Sequence, residues 1–338
     1  MSRLPRLAAV ATATLALTVL VSVPTSASEA RWGSSRPSVG GEPTVSDPRV
    51  VAHFDFAQGQ TAENIVLEPD GSAIVSFSNA RQVARVDKQG TVTILATLPP
   101  VANPNTPVIG VAATTGVTRA HDGTIYVVYA TGTSETGVWR IGPDGSGPEQ
   151  IAELPTNGFP NAIDIDEECG TLYVADSVLG TVWSVPQDGG PRTAWATGTE
   201  LQPLPAPDGL VGANGLKVHN GAVWVSNTDR QTLLRIPIRH DKTAGAIETR
   251  ATGLSWIDDF DFTGRGDTVL AALIMDNQVA LVRPDGTHKV VLTEQDGLDN
   301  PTAVAVGHKK VYVTSAAFFN PVNPDPNLLL ARLSKGHK

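Results

Sequence analysis

The passage from Phe159 to Gly190 constrains this chain more than any other, because it is written again and again along the sequence. It runs Phe159-Pro-Asn-Ala-Ile-Asp-Ile-Asp166, then Gly170-Thr-Leu-Tyr-Val-Ala-Asp176, then Gly180-Thr-Val-Trp-Ser-Val-Pro-Gln-Asp-Gly-Gly190. Ile163 and Ile165 alternate with polar neighbours, which is the period of a strand. Leu172–Val174 and Val182–Val185 are β-branched and aromatic runs bounded by Gly and Asp. The spacing predicts short strands joined by tight turns. Copies open at Glu63, Thr115, Asn161, Asn214, Asp258 and Thr302, about 40 to 50 residues apart.

Five copies carry four strands, and the sixth carries three before the chain runs out. An orphan strand, Val50–Phe56, precedes the first copy. Pairing it with the sixth copy, at Leu328–Arg332, removes a bare sheet edge that would invite aggregation. The expectation is an all-β fold, a six-bladed β-propeller over residues 49–338 with the N-terminal strand closing the last blade. Abundant Gly and Pro, and the lack of long helical periodicity, suit many short strands and turns.

The ends read differently. Arg3 and Arg6 precede an apolar stretch from Leu7 to Val23, and small residues follow around Ala27 and Ala30. Residues 1–30 are therefore expected to be a secretory signal peptide, and the protein to be secreted. Residues 31–48, rich in Ser, Pro and Gly, read as a flexible lead-in. The formal charge is −9 with no basic stripe, which speaks against nucleic acid as a partner. No other stretch is apolar enough to cross a bilayer, so no membrane partner is expected. Cys169 is the single cysteine, which excludes an intramolecular disulfide.

In a propeller the first strand of each blade lines the channel, and its opening residue sits at one mouth. Those residues are Glu63, Thr115, Asn161, Asn214, Asp258 and Thr302. Two carboxylates and two amide oxygens then converge. Such hard oxygen donors suit Ca²⁺ or another divalent cation, with water completing the shell. Without an ion the two carboxylates would raise each other's pKa. The phase leaves Asp259 as an alternative to Asp258. Singly, each residue has an ordinary reading: an Asx-turn at Asn161 and a turn pair at Asn214-Gly215.

The repeats resemble those of the regucalcin, gluconolactonase and diisopropyl fluorophosphatase family of six-bladed calcium-dependent hydrolases. Pro160-Asn161-Ala162-Ile163-Asp164 and Ala213-Asn214-Gly215-Leu216 resemble its Pro-Asn-Gly-Leu strand openings. Tyr173–Ser177 with Val182-Trp183, Asn300–Ala305 and Val311–Thr314 carry further likeness. The resemblance implies an ion held by Glu63, Asn161, Asn214 and Asp258. The sequence departs from the sugar-lactone members at Phe159, where they carry Arg. It departs from the phosphotriesterase members at Thr302, near which they use His.

Loops between second and third strands open on the ion's mouth. Phe159, Asp176, Asn227, Trp256 and Phe318 are the expected substrate pocket, apolar with a few polar groups. The expectation is a monomeric hydrolase acting on a small-molecule lactone or related ester. The ion would polarise the carbonyl, and Asp258 would be the catalytic base. A non-catalytic ligand-binding propeller and a strictosidine-synthase-like cyclase are the alternatives. The histidines fall in turns and outer strands. Asp164-x-Asp166-x-Glu168 has Cys169 where a calcium loop needs Gly, and reads as an exposed edge.

Overall fold

Each apolar run bounded by Gly or Asp folds as a strand, and consecutive strands pair as a meander. The computed structural model describes residues 41–334; the expected signal peptide and residues 31–40 lie outside them. The described chain forms six four-stranded antiparallel sheets. Blade three shows the pattern: Pro160–Asp166, Thr171–Asp176, Thr181–Pro186 and Thr193–Thr197 lie side by side in chain order. The first strands of the other blades are Ala62–Leu67, Ala113–Arg119, Ala213–His219, Ile257–Phe262 and Pro301–Gly307. Such a ring of six sheets is a six-bladed β-propeller.

The sixth blade is completed from the other end of the chain. Thr44–His53 pairs antiparallel with Asn327–Ser334, with Val50 opposite Leu329. The strand starts at Thr44, inside the stretch read as flexible lead-in. The last strand runs on to Ser334, so Thr44 finds Ser334 and Val45 finds Leu333 as partners. Val45 also packs on an apolar cluster of blades five and six.

Six apolar clusters hold the ring, each between adjacent blades. Leu216 and Val225 of blade four meet Tyr173 and Val182 of blade three. Trp224 meets Phe260 and Val269 of blade five. Phe77 of blade one meets Tyr312 and Leu328 of blade six, which closes the circle. Burial of this kind, at about 25 cal/mol per Å², is the main force that keeps the blades in register.

All six first strands break their pairing at the same place. In blade five Ile257 pairs with Leu273 and Phe260 with Ala271, so Asp258 and Asp259 together face one residue. Asn161-Ala162, Asn214-Gly215 and Thr115-Gly116 do the same in their blades. Glu63 and Thr302 are single extra residues. These are β-bulges, which re-aim side chains and recur beside binding sites. Asn161 and Asn214 therefore lie within strands, and neither opens a turn.

Candidate metal and substrate site

The bulges put Glu63, Asn161, Asn214 and Asp258 at the floor of one cavity of about 410 Å³, with Thr115 beside them. The backbone before each of the four acidic and amide residues is clamped from the preceding blade by a hydroxyl. Thr302 Oγ1 donates to Ala62 O at 2.8 Å and Thr115 Oγ1 to Pro160 O at 2.9 Å. Ser177 Oγ donates to Ala213 O at 2.7 Å and Thr228 Oγ1 to Ile257 O at 2.7 Å. Ser177 and Thr228 also accept from the amides, at 3.2 Å from Asn161 Nδ2 and 2.8 Å from Asn214 Nδ2. With each Nδ2 so engaged, the amide oxygen is the atom left to accept in the cavity.

The electrostatics mark this floor. Burial pushes Glu63 up to about 8, and the nearby Asp259 charge adds to it. Burial also raises Asp258 well above the usual carboxylate range, with Glu63 and Asp259 contributing and the Asn214 amide opposing. Glu63 Oε2 is buried without a hydrogen-bond partner. A buried carboxylate oxygen with no donor is unstable as an anion unless something positive stands beside it.

A divalent cation fits this donor set. Two carboxylates would balance its charge, two amide oxygens are hard ligands, and the cavity admits water for the remaining positions. Among the described residues no three His, Cys, Asp or Glu side chains cluster as metal ligands. A cation here would therefore depend on Asn161 and Asn214 as well as on Glu63 and Asp258.

Asp258 lines the cavity and Asp259 lies one layer below it. Asp259 Oδ2 accepts from Asn64 Nδ2 at 2.8 Å and from Lys217 Nζ at 2.7 Å. A Cβ on Gly215 would come within 2.5 Å of Asp259 Oδ1 and 2.7 Å of Asp258 O, so glycine is required there for close approach. Further down the channel, Asp164 accepts from Thr118 Oγ1 at 3.0 Å and Val218 N at 2.8 Å. Asp164 is thus a channel residue held by neighbouring blades, because the first strand is the innermost one. Burial raises Asp261 to about 6 against the opposing Lys217 charge. Burial pulls Lys217 down, but Asp259, Asp164 and Asp261 outweigh it and keep the ammonium charged.

Of the expected pocket residues, Phe159, Trp256 and Phe318 line the cavity. Asp176 and Asn227 do not; both are fully buried at the ends of second strands, where the chain enters a turn. Asp176 Oδ1 accepts from the backbone N–H groups of Phe159, Val178 and Leu179, at 3.0–3.2 Å. Asn227 Nδ2 donates to Glu200 O and Gln202 O, and its Oδ1 accepts from Arg230 N. An acceptor that satisfies several backbone donors is a turn organiser. The wall also takes Val108, Ile109 and Val111 from the connection between blades one and two, and Val211 from that between blades three and four. These connections open on the same mouth as the loops between second and third strands. Their apolar residues in Pro- and Gly-rich stretches were the available signal.

The fold is shared with solved structures. A PQQ-bound aldose sugar dehydrogenase from Streptomyces coelicolor superposes with a TM-score of 0.62 at 16% identity, covering 87% of this chain and 99% of that one. A candidate gluconolactonase gives 0.61 at 15% identity over 86% and 94% of the two chains. Regucalcin from Agrobacterium tumefaciens strain C58, described as a calcium-binding protein, gives 0.59 at 16% identity over 86% and 95%. No protein-family model matches the sequence, and no curated protein is significantly similar to it. At these identities the likeness is one of fold.

Proposed function

We propose that this protein is a hydrolase of a lactone or related ester, dependent on Ca²⁺ or a similar divalent cation. The observation that carries the reading is the floor of the cavity. Two carboxylates with raised pKa and two oriented amides meet there, and one carboxylate oxygen is buried and unpartnered. The calcium-binding regucalcin of the same fold supports the choice of ion.

When bound, the cation would act as a Lewis acid toward the substrate carbonyl. Glu63, Asn161, Asn214 and Asp258 would hold it. The chain's own part is positioning and proton transfer. Ser177 and Thr228 fix the amides, and the clamp on Ile257 O sets the backbone from which Asp258 projects. Asp258, ionised, would take the proton from the attacking water at a carboxylate oxygen. Phe159, Trp256 and Phe318 would exclude bulk water from that transfer.

The test is a panel of lactones and aryl esters assayed with Ca²⁺ and with chelator. Ring opening that chelator abolishes and Ca²⁺ restores is the expected result. A ligand-binding propeller without turnover is the reading that survives if no substrate is opened under any ion condition. Residues 1–30 are proposed as an export signal; N-terminal sequencing of the protein from the culture medium of its host tests that.

A further inference from the structure

Above its polar floor the cavity has an apolar wall held in a strained but well-bonded form. Trp256 and Phe319 line the cavity and are 45% and 58% exposed. Trp256 has φ of +49°, Ala317 before Phe318 has +55°, and Asn300 has +51°. A bulky side chain in the left-handed region persists only where its surroundings over-determine it, and such residues gather at ligand sites. Here the surroundings do so. Ile274 N donates to Trp256 O at 3.2 Å, Asn300 Nδ2 to Ile274 O at 3.3 Å, and Phe319 N to Asn300 Oδ1 at 2.8 Å. One bonded series joins Trp256, Ile274 and Phe319 along the side of blades five and six. Ile109 and Val111 add apolar surface from the connection between blades one and two.

The chemistry of this wall selects a substrate. Among the described residues, no lysine, arginine or histidine lines the cavity. With a divalent cation on the floor its charge is already balanced by Glu63 and Asp258, so an anionic substrate would find no cationic side chain to receive its own charge. A polyhydroxylated ring would find Ser78 and Asn79 for some of its hydroxyls, but those against Trp256, Ile274 and Phe319 would lose water without gaining partners. A molecule with one carbonyl and an apolar body matches both surfaces. Resting on the hydrolase reading, we infer that the substrate is a neutral lactone or ester bearing an alkyl or aryl tail. The carbonyl goes to the floor and the tail lies against Trp256 and Phe319.

The experiment uses γ-lactones of increasing alkyl-tail length, with gluconolactone as the polar comparison, on wild type, Trp256→Ala and Phe319→Ala. In wild type kcat/KM should rise about fourfold per added methylene until the cavity is filled, the factor for removing one CH₂ from water. Both variants should flatten that rise. A γ-lactam with an octyl tail, which is not hydrolysed, should shift tryptophan fluorescence in wild type but not in Trp256→Phe. Gluconolactone turnover with no gain from tails would overturn this substrate class and leave the hydrolase reading standing. Tail-dependent lactam binding without turnover of any lactone would support the apolar class and overturn the hydrolase reading. With neither binding nor turnover, both fall.

Discussion

Lys217 Nζ lies 2.7 Å from Asp259 Oδ2 inside the channel, one layer beneath the cavity that Asp258 lines. The two adjacent aspartates thus have different partners. Asp259 has a permanent cation from blade four, while Asp258 has only the Asn214 amide against the charges of Glu63 and Asp259.

That difference separates the two residues experimentally. Asp258→Asn keeps the volume and an oxygen donor but removes a charge and a proton acceptor. The variant should fold, bind Ca²⁺ more weakly, and lose on the order of 10²–10³ in turnover at saturating Ca²⁺. Asp259→Asn should instead act on stability, because Lys217 loses the carboxylate to which it is hydrogen-bonded and keeps only the charges of Asp164 and Asp261. Breaking a buried pair costs about 3–5 kcal/mol, read by denaturant unfolding. If Asp259→Asn loses turnover at unchanged stability, the roles are reversed.

Removing Lys217 tests the same pair from the other side. Lys217→Met leaves Asp259 uncompensated near Glu63 and Asp258. Unfolding without metal should show a loss of similar size. Ca²⁺ should then recover more stability than it adds to wild type, because the floor has become more negative. An unchanged response to Ca²⁺ would show that the two layers are electrically separate.

Thr228→Val removes the hydroxyl that both accepts from Asn214 and donates to Ile257 O. The methyl group replaces it at nearly the same volume, so packing is kept. Two polar groups lose a partner, worth about 1–3 kcal/mol where a group stays buried. The affinity for Ca²⁺, measured by calorimetry, should fall with stability. A stability loss with unchanged affinity would mean that the clamp does not position the site.

The raised carboxylates set a pH dependence for the metal-free protein. Folded, Glu63 titrates near 8 and Asp261 near 6, and Asp258 is raised as well. Between the ordinary carboxylate range and about 8 the folded state therefore holds more protons than the unfolded state. Stability should fall as pH rises through that window. Thermal melts in chelator should show a lower Tm at about pH 8 than at about pH 5. Saturating Ca²⁺ should shrink the difference, because ligands must be deprotonated to bind. A Tm that rises with pH in chelator would contradict the burial of these groups as ionisable acids.

Deleting residues 44–53 removes the strand that covers Asn327–Ser334. The exposed row of backbone donors and acceptors should drive association, seen as aggregation on size-exclusion chromatography. A monomeric variant with the wild-type melting temperature would mean that the ring does not depend on this closure.

The blade repeat was legible because strand periodicity and turn chemistry are local, and they recur six times in one phase. The incomplete sixth copy and the orphan strand at Val50 together implied the closure. The convergence of Glu63, Asn161, Asn214 and Asp258 on one cavity followed from that phase. What eluded it was the bulge. A strand alternates its side chains, so Asp258 and Asp259 look like alternatives until the pairing shows two residues opposite one.

The sequence by itself determined the number of blades, the order of the strands and the set of residues that open each blade. Those depend on neighbours within about ten residues of one another, where alternation and turn residues act. Only the tertiary structure decided which polar side chains are spent on structure and which are left over. Asp176 and Asn227 looked available, yet backbone groups of the turns and connections around them consume both, N–H donors on Asp176 and the carbonyls of Glu200 and Gln202 with Arg230 N on Asn227. Glu63 Oε2 is left over instead, because the ring buries it without a partner. Lys217, Asn64, Asp164 and Asp261 meet around the channel from four different blades. Their partners lie up to 195 residues apart in sequence, and no local pattern encodes a contact made only when the ring closes.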